Sequence, residues 1–451
     1  MKPVAIIGAG ITGLTAAFYL KRKGVPVTVY EAGPRAGGVI QSVRRDGFLA
    51  ESGPNTILET SPEISQLIRD LNLESRRFYT SPEAEARYVV RDRRPVAMPS
   101  SQLGIFTSKL LSAKAKFALL REPFLPARRD GGEETVAEFV TRRLNQEFLD
   151  RLVDALVAGI YAGDPQKLSV QHALPRLAQL ETKYGSLIKG QFKGARERKK
   201  SGQVARDRAP KFSFDEGLQV VTDTLAAQLE IKFNSPVTQL AQTGNTWRIT
   251  AGNNTTEYAS VIYCGTAYRL AELQIAAERP VDVSSFAQIR YAPVASVVLG
   301  FRKEDVAHPC QGFGMLIPRI EGFKILGTIF SSALFPNRAP AGHVLLSSYV
   351  GGERYPELIQ LPPDELVKLT CEDLGVLLGV KGKPVFQYTA LYPRAIPQYN
   401  LGYGKFKQLM NEIESNTRGL FFAGHFRDGV SLGDSITSGG NIAGRVESFL
   451  K

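Results

Sequence analysis

Three glycines, a carboxylate and a guanidinium near the N-terminus form the pattern in this chain with the clearest chemistry. Gly8-Ala9-Gly10-Ile11-Thr12-Gly13 is a G-x-G-x-x-G run that directly follows the apolar, β-branched Val4-Ala5-Ile6-Ile7. In such a run Gly8 permits a tight turn, Gly10 lets a pyrophosphate approach the backbone, and Gly13 lets the next helix pack close to the strand. Glu31 closes a second apolar stretch, Val25 to Tyr30. That is about the 20-residue offset at which an acidic side chain accepts from a ribose hydroxyl. Gly33-Pro34-Arg35-Ala36-Gly37-Gly38 adds a second glycine-rich turn with a cation, which suits another backbone approach to a diphosphate. The chemistry implied is capture of a dinucleotide by backbone N–H groups and a helix N-terminus.

Positioning these residues requires a buried parallel strand at Val4–Ile7, a helix from about Leu14 to Lys23, and a second strand from Val25. The C-terminus supplies a matching piece. Leu420-Phe421-Phe422-Ala423-Gly424 reads as a last buried strand, followed by Asp428 to Asp434 and a small-residue helix from Ser438 onward. Between the two ends, residues 61–72 read as a helix with Ser61 as cap and Pro62 in the first turn. Ala86 to Val90 and Val96 to Met98 read as a hairpin about Arg91 to Arg94. Helical periodicity then dominates from about Ser100 to Lys200. It includes Phe106 and one amphipathic stretch from Thr135 to Ala158, whose apolar stripe runs from Val136 to Leu156 and reads as core rather than membrane contact. A helix leading from Phe214 to Leu229 precedes strands at Ile231 to Ala241, Thr246 to Thr250 and Ser260 to Cys264. Residues 270–410 mix strands (Val297 to Phe301, Phe313 to Ile317, Lys324 to Phe330, Val344 to Val350) with one helix near Asp364 to Leu378.

A chain of 451 residues exceeds the size of a single hydrophobic core, so two or three domains are expected. Cys264, Cys310 and Cys371 lie far apart, as do His172, His308, His343 and His425. Neither set has metal-ligand spacing, and the cysteines read as buried small hydrophobes in a reducing compartment. The nucleotide strand begins at residue 4, which leaves no room for a signal peptide before it, and no apolar run approaches a membrane span. The formal net charge of +12 is concentrated: nine cations stand against Glu197 and Asp207 between Lys189 and Lys211. With Phe192 as its only aromatic and no recognised motif, that run does not point to nucleic acid. A solvated loop and an anionic membrane surface are its two readings.

The E-x-x-x-R-x-G-G run of Glu31, Arg35, Gly37 and Gly38, continued by Gly47 to Asn55, resembles the flavin-containing amine oxidase superfamily. Longer stretches are more specific. They include Gly159-Ile160-Tyr161-Ala162-Gly163-Asp164-Pro165, Lys183-Tyr184-Gly185-Ser186, Leu326-Gly327-Thr328-Ile329-Phe330, Phe335-Pro336-Asn337-Arg338 and Pro393-Arg394-Ala395-Ile396-Pro397. Over nearly the whole chain they resemble the oxygen-dependent protoporphyrinogen oxidases, most closely the plant-type branch.

The resemblance implies an α/β fold: a discontinuous Rossmann-like FAD-binding domain, a mixed α+β substrate domain and a helical membrane-associating insertion. The expected boundaries are 1–80, 209–268 and 411–451 for the FAD-binding domain, 81–99 and 269–410 for the substrate domain, and 100–208 for the helical insertion. It also implies a six-electron oxidation of protoporphyrinogen IX in three flavin cycles, with dioxygen as acceptor and hydrogen peroxide as product. The enzyme would be cytoplasmic and peripherally bound to a membrane, without a metal or nucleic acid, and a homodimer is possible. Non-covalent FAD is expected at Gly8, Gly10, Gly13, Glu31, Arg35, Gly37, Gly38, Val237, Gly424, Val430, Ser431 and Leu432. The porphyrinogen is expected at Arg87, Gly159, Leu316, Ile329 and Tyr349. No catalytic dyad is expected, because the flavin is the hydride acceptor.

This chain departs from the plant-type pattern at three positions. Tyr349 replaces phenylalanine and brings a hydroxyl that needs a partner, while His425 and Asp434 replace an asparagine and an arginine. Asp434 could accept from N–H groups at the helix start or repel a diphosphate. Two other activities remain compatible: oxidation of coproporphyrinogen III, and prenyl-lipid binding without chemistry. Four propionates would demand more cations than Arg87, and retention of Arg35 to Gly38 disfavours a site without nucleotide.

Overall fold

In the computed structural model, residues 2–99, 104–128, 130–201 and 209–451 are described, with no side-chain description at 105, 106 and 195–201. Val4–Ile7 is the central strand of a five-stranded parallel sheet. Val27–Tyr30 and Ile231–Lys232 lie on one side of it, and Ser260–Tyr263 and Leu420–Phe422 on the other. Strands drawn from both chain ends and the middle thus meet in one sheet. Buried on both faces, they consist almost entirely of β-branched and aromatic residues.

The helix after the first strand spans Ile11–Arg22, so it begins immediately after Gly10 and takes in Gly13, earlier than the expected Leu14. It packs against the last helix, Leu432–Leu450, where a Cβ on Gly439 would come within 2.6 Å of the Thr12 carbonyl oxygen. That last helix starts six residues before the expected Ser438. The signal overlooked is a capping box, in which Ser431 Oγ accepts from the Asp434 N–H and the Asp434 carboxylate accepts from the Ser431 N–H. The expected single strand from Ile231 to Ala241 is two strands in different sheets. Ile231–Lys232 joins the parallel sheet, and Val237–Thr243 belongs to a four-stranded sheet with Thr246–Ala251, Asn254–Tyr258 and Gln274–Ala276. The turn between them carries Asn234 at φ 49°.

A seven-stranded sheet runs in the order Phe386–Pro397, Tyr291–Arg302, His343–Gly351, Ile325–Phe330, Gly314–Leu316, Arg87–Arg91, Arg94–Ala97. One face is covered by the helix Pro363–Leu378: Val90, Met315, Val344, Leu346 and Val350 share a core with its Leu366 and Leu374. The strand Phe386–Pro397 and the helix Gly404–Asn416 had no sequence expectation; the strand alternates exposed and half-buried residues and lacks a continuous apolar run.

The Thr135 to Ala158 stretch is broken rather than continuous. Val136–Arg143 ends at Leu144, Asn145 caps the next turn by accepting from the Phe148 N–H, and five residues, Leu149–Val153, are π-helical before Asp154–Tyr161. The π segment turns the apolar stripe, so Leu156, expected in the core, is exposed. Two buried or half-buried ion-pair groups hold this region. Arg143 donates to Glu122, which also accepts from Ser186 Oγ at 2.5 Å, and Arg142 pairs with Glu134 and Glu181. Ser61 sits at the start of the helix Pro62–Asp70 without capping it, its hydroxyl instead reaching Thr437 Oγ1 at 3.1 Å. In the basic run, Arg206, Asp207 and Arg208 lie outside the described residues, as do the side chains of residues 196–200.

Candidate active site

The first and second glycine turns face each other. Gly8 is at φ 105°, which only glycine adopts without strain, and a Cβ there would press on Cys264 and Gly265 backbone at 3.1 Å. A Cβ on Gly13 would lie 2.0 Å from the Gly8 carbonyl oxygen, so helix and strand can approach only over a glycine. Gly37 donates its N–H to the Ala9 carbonyl at 2.8 Å, and a Cβ on Gly38 would stand 3.6 Å from Gly10 Cα. Above Gly10 itself nothing lies within 4 Å. The helix that starts there has no side-chain cap and no acidic residue in its first turn. An open glycine and a helix first turn without an acidic residue fit the diphosphate of a dinucleotide.

Glu31 accepts from the N–H groups of Ala9 and Gly33, both at 2.8 Å, one on each oxygen. Each oxygen keeps a lone pair for a ribose hydroxyl. Beside it, the N–H groups of Asn234 and Ser235 donate to the Gly33 and Glu31 carbonyls at 3.0 and 2.9 Å, which brings the turn leading into Val237 against the same end. Arg35, expected at the cofactor, also braces its own turn. Its guanidinium donates to the carbonyls of Ala36, Ile40 and Gly38 at 3.0, 3.0 and 2.6 Å, so three of its five N–H groups hold the glycine turn in shape.

At the C-terminal end, Gly424 is at φ 110° and its N–H donates to Ser438 Oγ at 3.0 Å and Asp428 Oδ2 at 3.2 Å. Val430, Ser431 and Leu432 lead into the last helix, and Asp434 is used in its cap. His425 Nε2 lies 3.3 Å from the Tyr291 hydroxyl, and burial pulls its pKa down to about 4, leaving a neutral imidazole at pH 7.

The seven-stranded sheet gathers the expected substrate residues by register. Arg87 pairs with Gly314, Gly314 with Ile329, and Ile329 with Ser347; one step along, Leu316 pairs with Gly327, Gly327 with Tyr349, and Tyr349 with Ser296. Paired residues share a face, so Arg87, Leu316, Ile329 and Tyr349 project from the side opposite the covering helix. Gly159 completes the set: a Cβ on it would meet Leu316 Cδ2 at 2.6 Å. Its helix also exposes Leu156 and Ile160, spaced with Gly159 at i, i+3 and i+4, a wall not assigned from sequence. Arg87 lies with its guanidinium 6.0 Å from the Phe313 ring centre.

The Phe48 to Asn55 segment joins this face to the glycine turns. Tyr349 donates to the Gly53 carbonyl at 2.8 Å and accepts from Asn55 Nδ2 at 2.6 Å, which supplies the partner its hydroxyl required. Ser52 Oγ meets the Tyr388 hydroxyl at 2.7 Å, and Ser331 Oγ bonds Ser347 Oγ at 2.8 Å. The buried Glu51 accepts from Ser42 Oγ, the Leu218 N–H and Arg338, at 2.6, 2.9 and 3.2 Å. Arg338, Tyr349 and Tyr388 reach this segment from 287 to 336 residues away in sequence, and no local motif announces them. Among the described residues no cluster of side chains could hold a metal ion.

Residues 11–447 match the family described as flavin containing amine oxidoreductase. The chain is 36% identical to protoporphyrinogen oxidase 2, chloroplastic/mitochondrial, of Arabidopsis thaliana, with 100% of this chain and 94% of that protein covered. It is 31% identical to the coproporphyrinogen III oxidase of Bacillus subtilis (strain 168), covering 97% of this chain and 96% of that one. The crystal structure of a protein from Exiguobacterium sp. 255-15 has the same fold, with a TM-score of 0.83, 22% identity and 99% of each chain covered.

Proposed function

The chain belongs to the flavin-containing amine oxidoreductase family, and from that premise we propose that it oxidises protoporphyrinogen IX to protoporphyrin IX. It is an oxidoreductase that uses FAD. Bound FAD would supply the hydride acceptor for the porphyrinogen, with dioxygen as the final oxidant and hydrogen peroxide as product. The observation that carries the reading is the single sheet face bearing Arg87, Leu316, Ile329 and Tyr349, with Gly159 against it, joined by Gly53 to the glycine turns.

In this reading Gly8, Gly10, Gly13, Gly37 and Gly38 bring backbone to the diphosphate, Glu31 holds the ribose, and the turn into Val237 borders the adenine. Gly424 with Val430 to Leu432 closes the flavin end. Leu316, Ile329 and the Tyr349 ring orient an apolar macrocycle and exclude water, while the Arg87 fork holds a propionate. Three arginines beside Gly159's helix are already matched by carboxylates, Arg319 at 3.8 Å from Asp154 and 3.5 Å from Asp164, Arg354 at 2.9 Å from Asp154 and Arg151 at 2.5 Å from Glu321, so they add little positive charge for further carboxylates. This favours a substrate with two propionates over one with four.

The Bacillus subtilis relative supports coproporphyrinogen III as a second reading. Aerobic turnover of both porphyrinogens by the purified yellow protein, followed by porphyrin fluorescence, separates them. Faster oxidation of protoporphyrinogen is expected; preference for coproporphyrinogen selects the second reading, and oxidation of neither refutes both.

The helices between residues 100 and 208 are proposed to rest on a membrane surface. Phe117 (62% exposed), Leu120 and Phe124 (84% exposed) protrude there, and Lys189 Nζ lies 5.9 Å from the Phe124 ring centre. Among the described residues no helix is long and apolar enough to cross a membrane. Binding to anionic vesicles at low salt that disappears at high salt is expected; equal binding to neutral vesicles contradicts the electrostatic part.

A further inference from the structure

Tyr349 stands in the row of the sheet that also holds Leu316 and Gly327, and its ring is half-buried against Ala158, Ala162, Ala292, Val294 and Leu326. Its hydroxyl points away from that row into the Phe48 to Asn55 segment. There it donates to the Gly53 carbonyl and accepts from Asn55 Nδ2, so both directions of the O–H group are used inside the protein. Burial pushes the phenol pKa well up, which keeps the proton on the oxygen and the donation to Gly53 intact. Gly53 in turn touches the glycine turn, since a Cβ on it would lie 3.3 Å from the Val39 carbonyl oxygen, one residue beyond Gly38. A contiguous path therefore runs from the Tyr349 hydroxyl through Gly53 and Val39 to Gly38 and Gly10.

Resting on the reading above, we propose that Tyr349 is a positioning residue that meets the porphyrinogen through its ring alone, while its hydroxyl fixes the Gly53 segment against the FAD site. An aromatic ring is sufficient for an apolar macrocycle, and the added hydroxyl sets the distance between the two halves of the site. Catalytic geometry tolerates roughly 0.5 Å of misplacement, so a tether of this kind acts on rate and on the cofactor rather than on substrate affinity.

Tyr349→Phe keeps the ring and deletes only the two hydrogen bonds of the tether; the Asn55 amide nitrogen and the Gly53 carbonyl, 3.2 Å apart, then have only each other and no link to the sheet. Such a loss corresponds to about tenfold in an equilibrium. The expected result is a KM within twofold of wild type, a kcat lowered about tenfold, a shifted visible flavin band and a Kd for FAD raised about tenfold. Tyr349→Leu, which removes the ring as well, is expected to raise KM several-fold in addition. If Tyr349→Phe does not yield folded protein, Asn55→Leu removes one of the two tether bonds and leaves the donation to Gly53, and is expected to shift the flavin band and the FAD affinity in the same direction by a smaller amount.

A raised KM in Tyr349→Phe with an unchanged flavin band and unchanged FAD affinity would place the hydroxyl on the substrate and overturn the proposal. So would a loss of thermal stability alone. Because FAD affinity and the flavin band are read without substrate, their outcome stands apart from whether the wild-type protein oxidises a porphyrinogen.

Discussion

The glycine turns and the sheet face opposite them are built by different means. The glycine side is backbone: Gly8, Gly10, Gly13, Gly37 and Gly38 act by lacking side chains, and the helix at Ile11 has no acidic residue in its first turn. The other face is made of side chains, Arg87, Leu316, Ile329 and Tyr349, brought together by strand register from segments spread over more than half of the chain. A backbone site depends on space, so adding a single methyl group should destroy it. A side-chain site depends on individual groups, so each can be removed with a graded effect.

Gly13→Ala tests the first half of that contrast most severely. The new Cβ would lie 2.0 Å from the Gly8 carbonyl oxygen, and that oxygen belongs to backbone packed between two strands and cannot swing aside. Loss of FAD binding by at least about a hundredfold is expected, with a stability cost of about 1–3 kcal/mol from overpacking. Flavin content after gel filtration and thermal melting measure both. Retention of stoichiometric flavin would show that the turn can relax.

A smaller effect is expected where the two regions are joined. Burial lifts the Glu51 carboxyl from its ordinary 4.5 to about 7, outweighing the attraction of Arg338. The folded state therefore holds a proton that the unfolded chain has released between those values. Glu51 contributes stability that is full below pH 4.5 and is lost as the pH rises through about 7. Melting temperatures of wild type and Glu51→Gln, compared from pH 5 to pH 8, should show the wild type losing stability relative to the variant. Parallel curves would mean that the carboxylate is ionised throughout.

The same contrast explains what could be read from sequence. The nucleotide side was legible because G-x-G-x-x-G, Glu31 and the second glycine turn are contiguous in the chain, and backbone geometry permits few residues at Gly8 and Gly13. Arg35 was legible as a conspicuous cation, but only coordinates show it donating to its own turn. Arg87, Leu316, Ile329 and Tyr349 enter only through family resemblance as proposed substrate contacts, and register explains why they converge. Leu156 was assigned to the core because an unbroken 3.6-residue period was assumed, and the π-helical Leu149–Val153 violates it. The Tyr349 and Asn55 contact joins residues 294 apart, a separation at which periodicity carries no information.

In the proposed enzyme FAD and porphyrinogen occupy these two regions separately, and Arg87 holds only the substrate. Anaerobic mixing of the flavin-loaded protein with protoporphyrinogen, followed through bleaching of the flavin absorbance, tests this arrangement most directly. Wild-type flavin is expected to be reduced, and Arg87→Ala to keep its flavin spectrum and limiting reduction rate. The half-saturating porphyrinogen concentration in the variant should rise roughly 10- to 100-fold, the loss of a hydrogen bond to a charged group. Flavin that is not bleached in the wild type, or an unchanged half-saturation in Arg87→Ala, would contradict it.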